Sequence, residues 1–181
     1  MGNNRKIWLP DTEKFRIKMK PAALKIYSKI FPDCELKDLR ERGVRVHILD
    51  KEFGIDSLIN LKSRQWISIQ EKYRTYYYYK TFGADFTQEY FNAVGTIYEN
   101  PGEWFSLGAQ IYFYGWADEK EENFFKWALI DIVKYKIIVE KAGGLEKFGK
   151  LQQNIKHGSS NFYSFPIKKI KNAFITTYKD F

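Results

Sequence analysis

Cysteine is nearly absent: Cys34 stands alone in 181 residues. It excludes an intramolecular disulfide and any zinc cluster built on cysteines, so a reducing intracellular setting is the economical expectation. Histidine is as scarce. His47 and His157 are too far apart in the chain to predict a metal or catalytic pair. His47 falls on an expected core strand and reads as a packed residue. No apolar run approaches a membrane span, and the opening MGNNRKIWLP lacks the apolar core of a signal peptide. No stretch is long and polar enough to be a linker. With 44% hydrophobic residues there is chain for one well-packed domain, 1–181, expected in the cytoplasm and without a membrane partner.

What the chain has in excess is positive charge. Thirty Lys and Arg stand against 22 Asp and Glu, giving a formal charge of +8. Such a balance favours polyanions through counterion release, and DNA is the expected partner. The excess gathers at Arg5, Lys6, Lys14, Arg16, Lys18 and Lys20, and again at Lys147, Lys150, Lys156, Lys168, Lys169 and Lys171. Two basic flanks suit a duplex lying across a central site, although each cluster alone reads equally well as a solvated face.

Periodicity outlines an α/β arrangement. Pro21 is expected to open a helix in which Ala23, Leu24, Tyr27, Ile30 and Phe31 recur at helical spacing, ending before Pro32. Glu35 to Arg42 reads as a short helical or irregular stretch stopped by Gly43. Val44–Leu49, Ile55–Leu61 and Trp66–Tyr73 read as three strands. Ala109–Trp116 and Phe124–Ile130 read as two more, around a charged turn at 118–123. Asp131–Ala142 is a helix ended by Gly143-Gly144. This divides the chain into an N-terminal helical segment (about 1–43), a hairpin region (about 44–74) and a remainder of sheet and C-terminal helices (75–181), with a mixed central sheet flanked by helices.

The chemistry concentrates between Glu52 and Arg74, EFGIDSLINLKSRQWISIQEKYR. If Lys62-Ser63-Arg64 is a three-residue turn, Leu61 pairs with Gln65, Leu58 with Ser68 and Asp56 with Gln70, and their Cβ atoms are about 5 Å apart. Strand alternation then sets Gln70 and Lys72 on one face and Glu71 on the other. A two-residue turn would bring the Glu71 side chain opposite Asp56 instead. An acid, a second oxygen ligand and a lysine on one hairpin face can hold a divalent cation and activate a water beside a phosphodiester.

The elements Gly54-Ile55-Asp56 and Gln70-Glu71-Lys72 resemble the restriction-endonuclease-like PD-(D/E)xK nuclease superfamily, in its Mrr-like branch with Gln-x-Lys. The resemblance covers about a quarter of the chain, and Gly-Ile-Asp stands where the superfamily usually has Pro-Asp. It implies a restriction-endonuclease-like core with a crossover helix after the hairpin, for which Phe86–Ala93 is the candidate. It implies a Mg²⁺-dependent (or Mn²⁺-dependent) DNA nuclease, with an endonuclease expected ahead of an exonuclease. Asp56 and Gln70 would be metal ligands, with the Glu71 backbone carbonyl a further one, and Lys72 would orient or polarise the attacking water. A structure-specific, Holliday-junction-type resolvase acting as a homodimer, or a catalytically inactive DNA-binding protein of the same fold, are the alternatives. A small stand-alone nuclease also fits a viral origin, which would place it in the host cytoplasm.

Glutamine at position 70 leaves this site one negative charge short of an Asp/Glu pair. Asp50, Glu52, Glu35, Asp38 and Glu41 lie upstream as replacements, and Asp85, Glu89 and Glu103 downstream. Glu103 is favoured among the downstream acids because Pro101-Gly102 makes a tight turn before it. Arg74, on the Lys72 face, is expected to contact phosphate, and Tyr73 and Tyr76 to stack on bases. The competing expectation for the tyrosine run 76–79 is a half-buried strand.

Overall fold

A computed structural model describes residues 5–39, 48–154, 159–179 and 181. Its frame is a six-stranded sheet in the order β1-β2-β3-β6-β7-β10, formed by Glu35–Asp38, Ser57–Asn60, Trp66–Arg74, Ile111–Ala117, Phe124–Asp131 and Phe174–Tyr178. β3 and β6 run parallel and the other neighbours antiparallel, so the sheet is mixed. A second, antiparallel sheet has the order β5-β4-β9-β8, from Asn100–Pro101, Asp85–Asn92, Ser160–Pro166 and Lys150–Asn154. Helices are α1 (Arg5–Ile30), α2 (Ile48–Phe53), α3 (Tyr76–Phe82), α4 (Glu103–Ser106), α5 (Ile132–Lys141) and α6 (Leu145–Phe148), and a 3₁₀ segment spans Ile167–Ala173.

The sequence of β6, IYFYGWA, explains the layering. All seven residues are buried, as befits a strand covered on both faces. Tyr112, Tyr114 and Trp116 enter a core shared with Phe86, Tyr135 and Phe165 of the second sheet and α5. Ile111 and Phe113 enter another with Met19, Ala23 and Tyr27 of α1. Gly115 is needed by contact: a Cβ there would lie 2.7 Å from Phe124 Cδ1.

Several elements differ from expectation. α1 runs from Arg5 through Pro21, which sits in the helix interior rather than at its start. Packing of Met19, Ala22, Ala23 and Tyr27 on the sheet offsets the hydrogen bond that proline withholds. Glu35–Asp38 is a strand, drawn into extended form by pairing with β2. Of the expected strand Val44–Leu49, residues 44–47, His47 among them, lie outside the described residues, and Ile48 and Leu49 belong to α2.

The largest correction concerns the crossover. Phe86–Ala93 is not a helix: Asp85–Asn92 is strand β4, paired with β9 on one side and β5 on the other. The tyrosine run, weighed as a strand, is helix α3 instead. Thr75 caps it by accepting from Tyr78 N, while Tyr78 and Tyr79 pack on the core. No residue of α3 is fully buried, so the helix rests on its cap and on the packing of these partly buried rings, tyrosine's own helix propensity being middling. The helix predicted at 131–142 is present as α5, capped by the Asp131 side chain on Lys134 N.

Candidate functional site

The hairpin has the three-residue turn. Leu61 N donates to Gln65 O at 2.9 Å, and Ser57, Leu58, Ile59 and Asn60 pair with Ile69, Ser68, Ile67 and Trp66. The regular pairing ends with Ser57 opposite Ile69, and Asp56 N also donates to Ile69 O at 2.9 Å, one residue out of the ladder's register. Asp56 is 1% exposed, and its Oδ2 accepts from Glu71 N at 2.7 Å. Gln70 Oε1 is buried with no hydrogen-bond partner among the described residues. Gly54 closes over it. With φ of 56° it occupies the left-handed region, and a Cβ there would come 3.4 Å from Gln70 Oε1 and 3.6 Å from Ser106 O.

Lys72 lies on the same strand face as Gln70 and meets acids from the crossover. Its Nζ donates to Glu103 Oε2 at 3.1 Å and to Thr87 O at 3.4 Å, with Glu89 Oε1 at 3.8 Å. Burial pushes the Lys72 ammonium down, but Glu103 and then Glu89 more than offset it, so its pKa stands above the ordinary lysine value. Glu103 also accepts from Gln88 Nε2 at 3.0 Å and from Tyr112 OH at 2.8 Å. Of the three downstream acids, Glu103 and Glu89 therefore return to Lys72. Asp85 does not contact it; burial, partly countered by Arg74, raises the Asp85 carboxyl to about 6.

With this register the Glu71 side chain points to the other face, toward α1. It accepts from Lys20 Nζ at 2.7 and 2.9 Å and from Tyr27 OH at 2.9 Å, and Lys20 also reaches Ser57 Oγ at 2.6 Å. Arg16 Nη1 and Asp38 Oδ2, 3.2 Å apart, extend this network, with Lys20 Nζ 3.6 Å from Asp38. The sequence held a signal for it that the motif reading passed over: Lys20 stands inside the apolar stripe Met19, Ala23, Tyr27, where a charge needs a buried partner.

The residues expected to touch DNA are placed differently. Arg74 is on the Lys72 face, as expected, but its guanidinium is engaged within the fold. Nε donates to Tyr114 OH at 2.9 Å, Nη2 to Thr87 Oγ1, and the group lies 4.6 Å above the Tyr78 ring. The Tyr73 ring faces the α1 side and packs edge-on against Phe113 and Phe124, centroids 5.8 and 5.1 Å away. Tyr76 is half-buried against Phe125. The N-terminal basic cluster is partly spent on ion pairs: Arg16 with Glu13 and Asp38, Lys18 with Glu121, Lys20 with Glu71.

Among the described residues no three His, Cys, Asp or Glu side chains converge as a metal cluster. Magnesium needs fewer, since it keeps several waters and binds through one or two carboxylates. Asp56 with the bare, buried carbonyl oxygen of Gln70 fits that requirement in donor type. A separate cavity of about 250 Å³, lined by Phe82, Ala84, Asp85, Pro166, Ile167, Lys168 and Phe181, opens at the start of β4. No family model, no curated protein and no solved structure matches the chain. No helix among the described residues is long and apolar enough to cross a membrane.

Proposed function

We propose that the chain is a divalent-metal-dependent deoxyribonuclease built on a restriction-endonuclease-like core, hydrolysing phosphodiester bonds in DNA. The observation that carries this reading is the buried Asp56 carboxylate, which accepts from Glu71 N at 2.7 Å, beside a strand whose Gln70 and Lys72 share a face and whose Gln70 Oε1 is buried with no hydrogen-bond partner among the described residues. The parallel pairing of β3 with β6, which requires a crossover after the hairpin, supports it. Asp56 and Gln70 would hold Mg²⁺, with the Glu71 backbone carbonyl as a further ligand. The bound ion would supply an activated water and neutralise charge on the phosphate.

The chain's own contribution is electrostatic. Lys72 is held in its charged form, so it donates to the attacking water or to a phosphate oxygen and does not act as a base. Its side chain and that of Glu103 are 15% and 11% exposed, whereas Glu89 is 44% exposed, so the pair opens to solvent on the Glu89 side. A second reading, a catalytically inactive DNA-binding protein, is favoured by one observation: Lys72 and Arg74 both already have partners within the fold.

Labelled linear, single-stranded and branched DNA incubated with Mg²⁺, Mn²⁺ or EDTA separates these readings. Metal-dependent cleavage of linear duplex is the expected result. A strong preference for junctions, together with dimerisation, would make the chain a resolvase, and binding without cleavage under any metal would favour the inactive form.

A further inference from the structure

The cavity at the start of β4 gathers an acid, a base and two aromatic rings around one space. Asp85, Lys168, Phe82 and Phe181 line it, and its volume is about 250 Å³. Pockets for drug-sized ligands run from about 300 to 1,000 Å³, so this one suits a single ring system. Phe82 is 60% exposed beside it, while Phe181 is backed by Trp116 and Phe174, centroids 5.6 and 5.3 Å away. Among the described residues neither the Asp85 carboxylate nor the Lys168 ammonium has a hydrogen bond or ion pair. Burial raises the Asp85 carboxyl to about 6, with Arg74 alone countering it. A half-buried acceptor without a donor is complete only when a ligand supplies one. The cavity also continues the candidate site. Along β4, Glu89 and Thr87 meet Lys72, Thr87 meets Arg74, and Asp85 follows within the field of Arg74.

We propose that this cavity is a subsite for one unstacked guanine base of the nucleic acid. Its ligand must bring donors for Asp85, a flat apolar face for Phe82 and Phe181, and a negative group for Lys168. A nucleotide carries all three. Guanine alone among the bases has two adjacent N–H donors on its Watson–Crick edge, and these match the two oxygens of one carboxylate. Adenine and cytosine set one amino group beside a bare ring nitrogen, and thymine sets one N–H between two carbonyls, so each turns an acceptor toward Asp85. A simple organic cation would satisfy Asp85 but is repelled by Lys168. The phosphate then lies at Lys168, which with Lys171 is exposed in the C-terminal basic cluster. The choice of a nucleic-acid ligand rests on the nuclease reading; the donors and ring that the cavity asks for do not.

The test titrates the metal-free protein in EDTA, above the pH at which Asp85 ionises, with each of the four deoxynucleoside monophosphates. Binding is read from the backbone amide NMR signals of Ala84, Asp85, Ile167 and Lys168. The guanine nucleotide is expected to shift them with a Kd of about 1 mM, at least about fivefold tighter than the other three. In Asp85→Asn, which relieves a buried charge and so keeps the fold, its affinity should fall about tenfold or more and the preference should vanish. Phe82→Ala, at an exposed position, should weaken all four alike. Lys168→Ala should weaken the nucleotides and spare guanosine itself. No shift of these amides by about 10 mM guanine nucleotide, equal affinity for all four, or a preference that survives in Asp85→Asn overturns the proposal. So does benzylamine binding there more tightly than the guanine nucleotide, which would make the cavity an organic-cation site. If the unaltered protein cleaves no DNA under any metal, the nuclease reading fails by itself, and these metal-free titrations still decide what the cavity takes.

Discussion

A lysine and a glutamate taken out of water together must recover the desolvation of both, and Lys20 and Glu71 do so through three further groups. Tyr27 OH and Ser57 Oγ satisfy Glu71, and Asp38 lies near Lys20. Deleting one partner strands the other, so Lys20→Ala should lower unfolding free energy by about 3–5 kcal/mol, measured by urea titration. Adding Glu71→Ala should cost less than the sum of the single changes. Asp85 is a case of opposite sign. Its folded-state pKa is about 6 against an ordinary 3.8. Any stability from the raised value is therefore complete below pH 3.8 and lost as pH rises through about 6. At pH 7.5 the ionised carboxylate is a burden. Because the group is half exposed, Asp85→Asn should stabilise by only about 1 kcal/mol at that pH, and the gain should shrink toward zero below about pH 4.

Elements carry their own predictions because two of them rest on single residues. Thr75 caps α3 through Tyr78 N, so Thr75→Ala should cost about 1 kcal/mol while Thr75→Ser costs little, again by urea unfolding. Gly102→Ala forces α4 away from the β4 backbone it touches. It should loosen the Glu103–Lys72 pair and lower cleavage without altering the hairpin, which hydrogen exchange across β2 and β3 can check. Legibility follows from the range of the determining contacts. The β2–β3 hairpin was readable to its register because a polar three-residue turn and strict alternation are local signals. β4 was not. It is fixed by β9, with Asp85 opposite Pro166, a pairing that nothing near Asp85 announces. The tyrosine run has no period of its own that separates helix from strand, and Thr75 lacks the Glu or Gln three residues on that would have marked a capping box.

At the scale of the whole molecule, two sheets and α1 enclose tyrosines on both faces of the central strands. Burial pushes the hydroxyls of Tyr27, Tyr73, Tyr112 and Tyr135 well above their ordinary value of 10. The stability they contribute is complete below that value and is lost as pH rises toward the folded-state values. Unfolding in alkali should therefore be one cooperative step above about pH 10, with these phenols ionising together. Phenolate absorbance and far-UV circular dichroism recorded along one pH titration should show coincident transitions.

The mixed sheet flanked by helices and the hairpin register that sets Leu58 opposite Ser68 were legible in the sequence, as was the face that Lys72 shares with Gln70. The polar contacts of Lys72 come from β4 and α4, and they follow from a second sheet that the sequence did not disclose. Glu103 was favoured among the downstream acids because of the turn before it, and its partners, Tyr112 and Gln88, come from strands distant in the chain.

The most direct test of the account is cleavage of labelled duplex DNA by the unaltered protein, Asp56→Ala and Lys72→Ala with and without Mg²⁺, with DNA binding followed in parallel by fluorescence anisotropy. The account predicts Mg²⁺-dependent cleavage that falls by about a hundredfold or more in each folded variant while binding persists. Full cleavage by either variant, or none by the unaltered protein with any divalent metal, would contradict it.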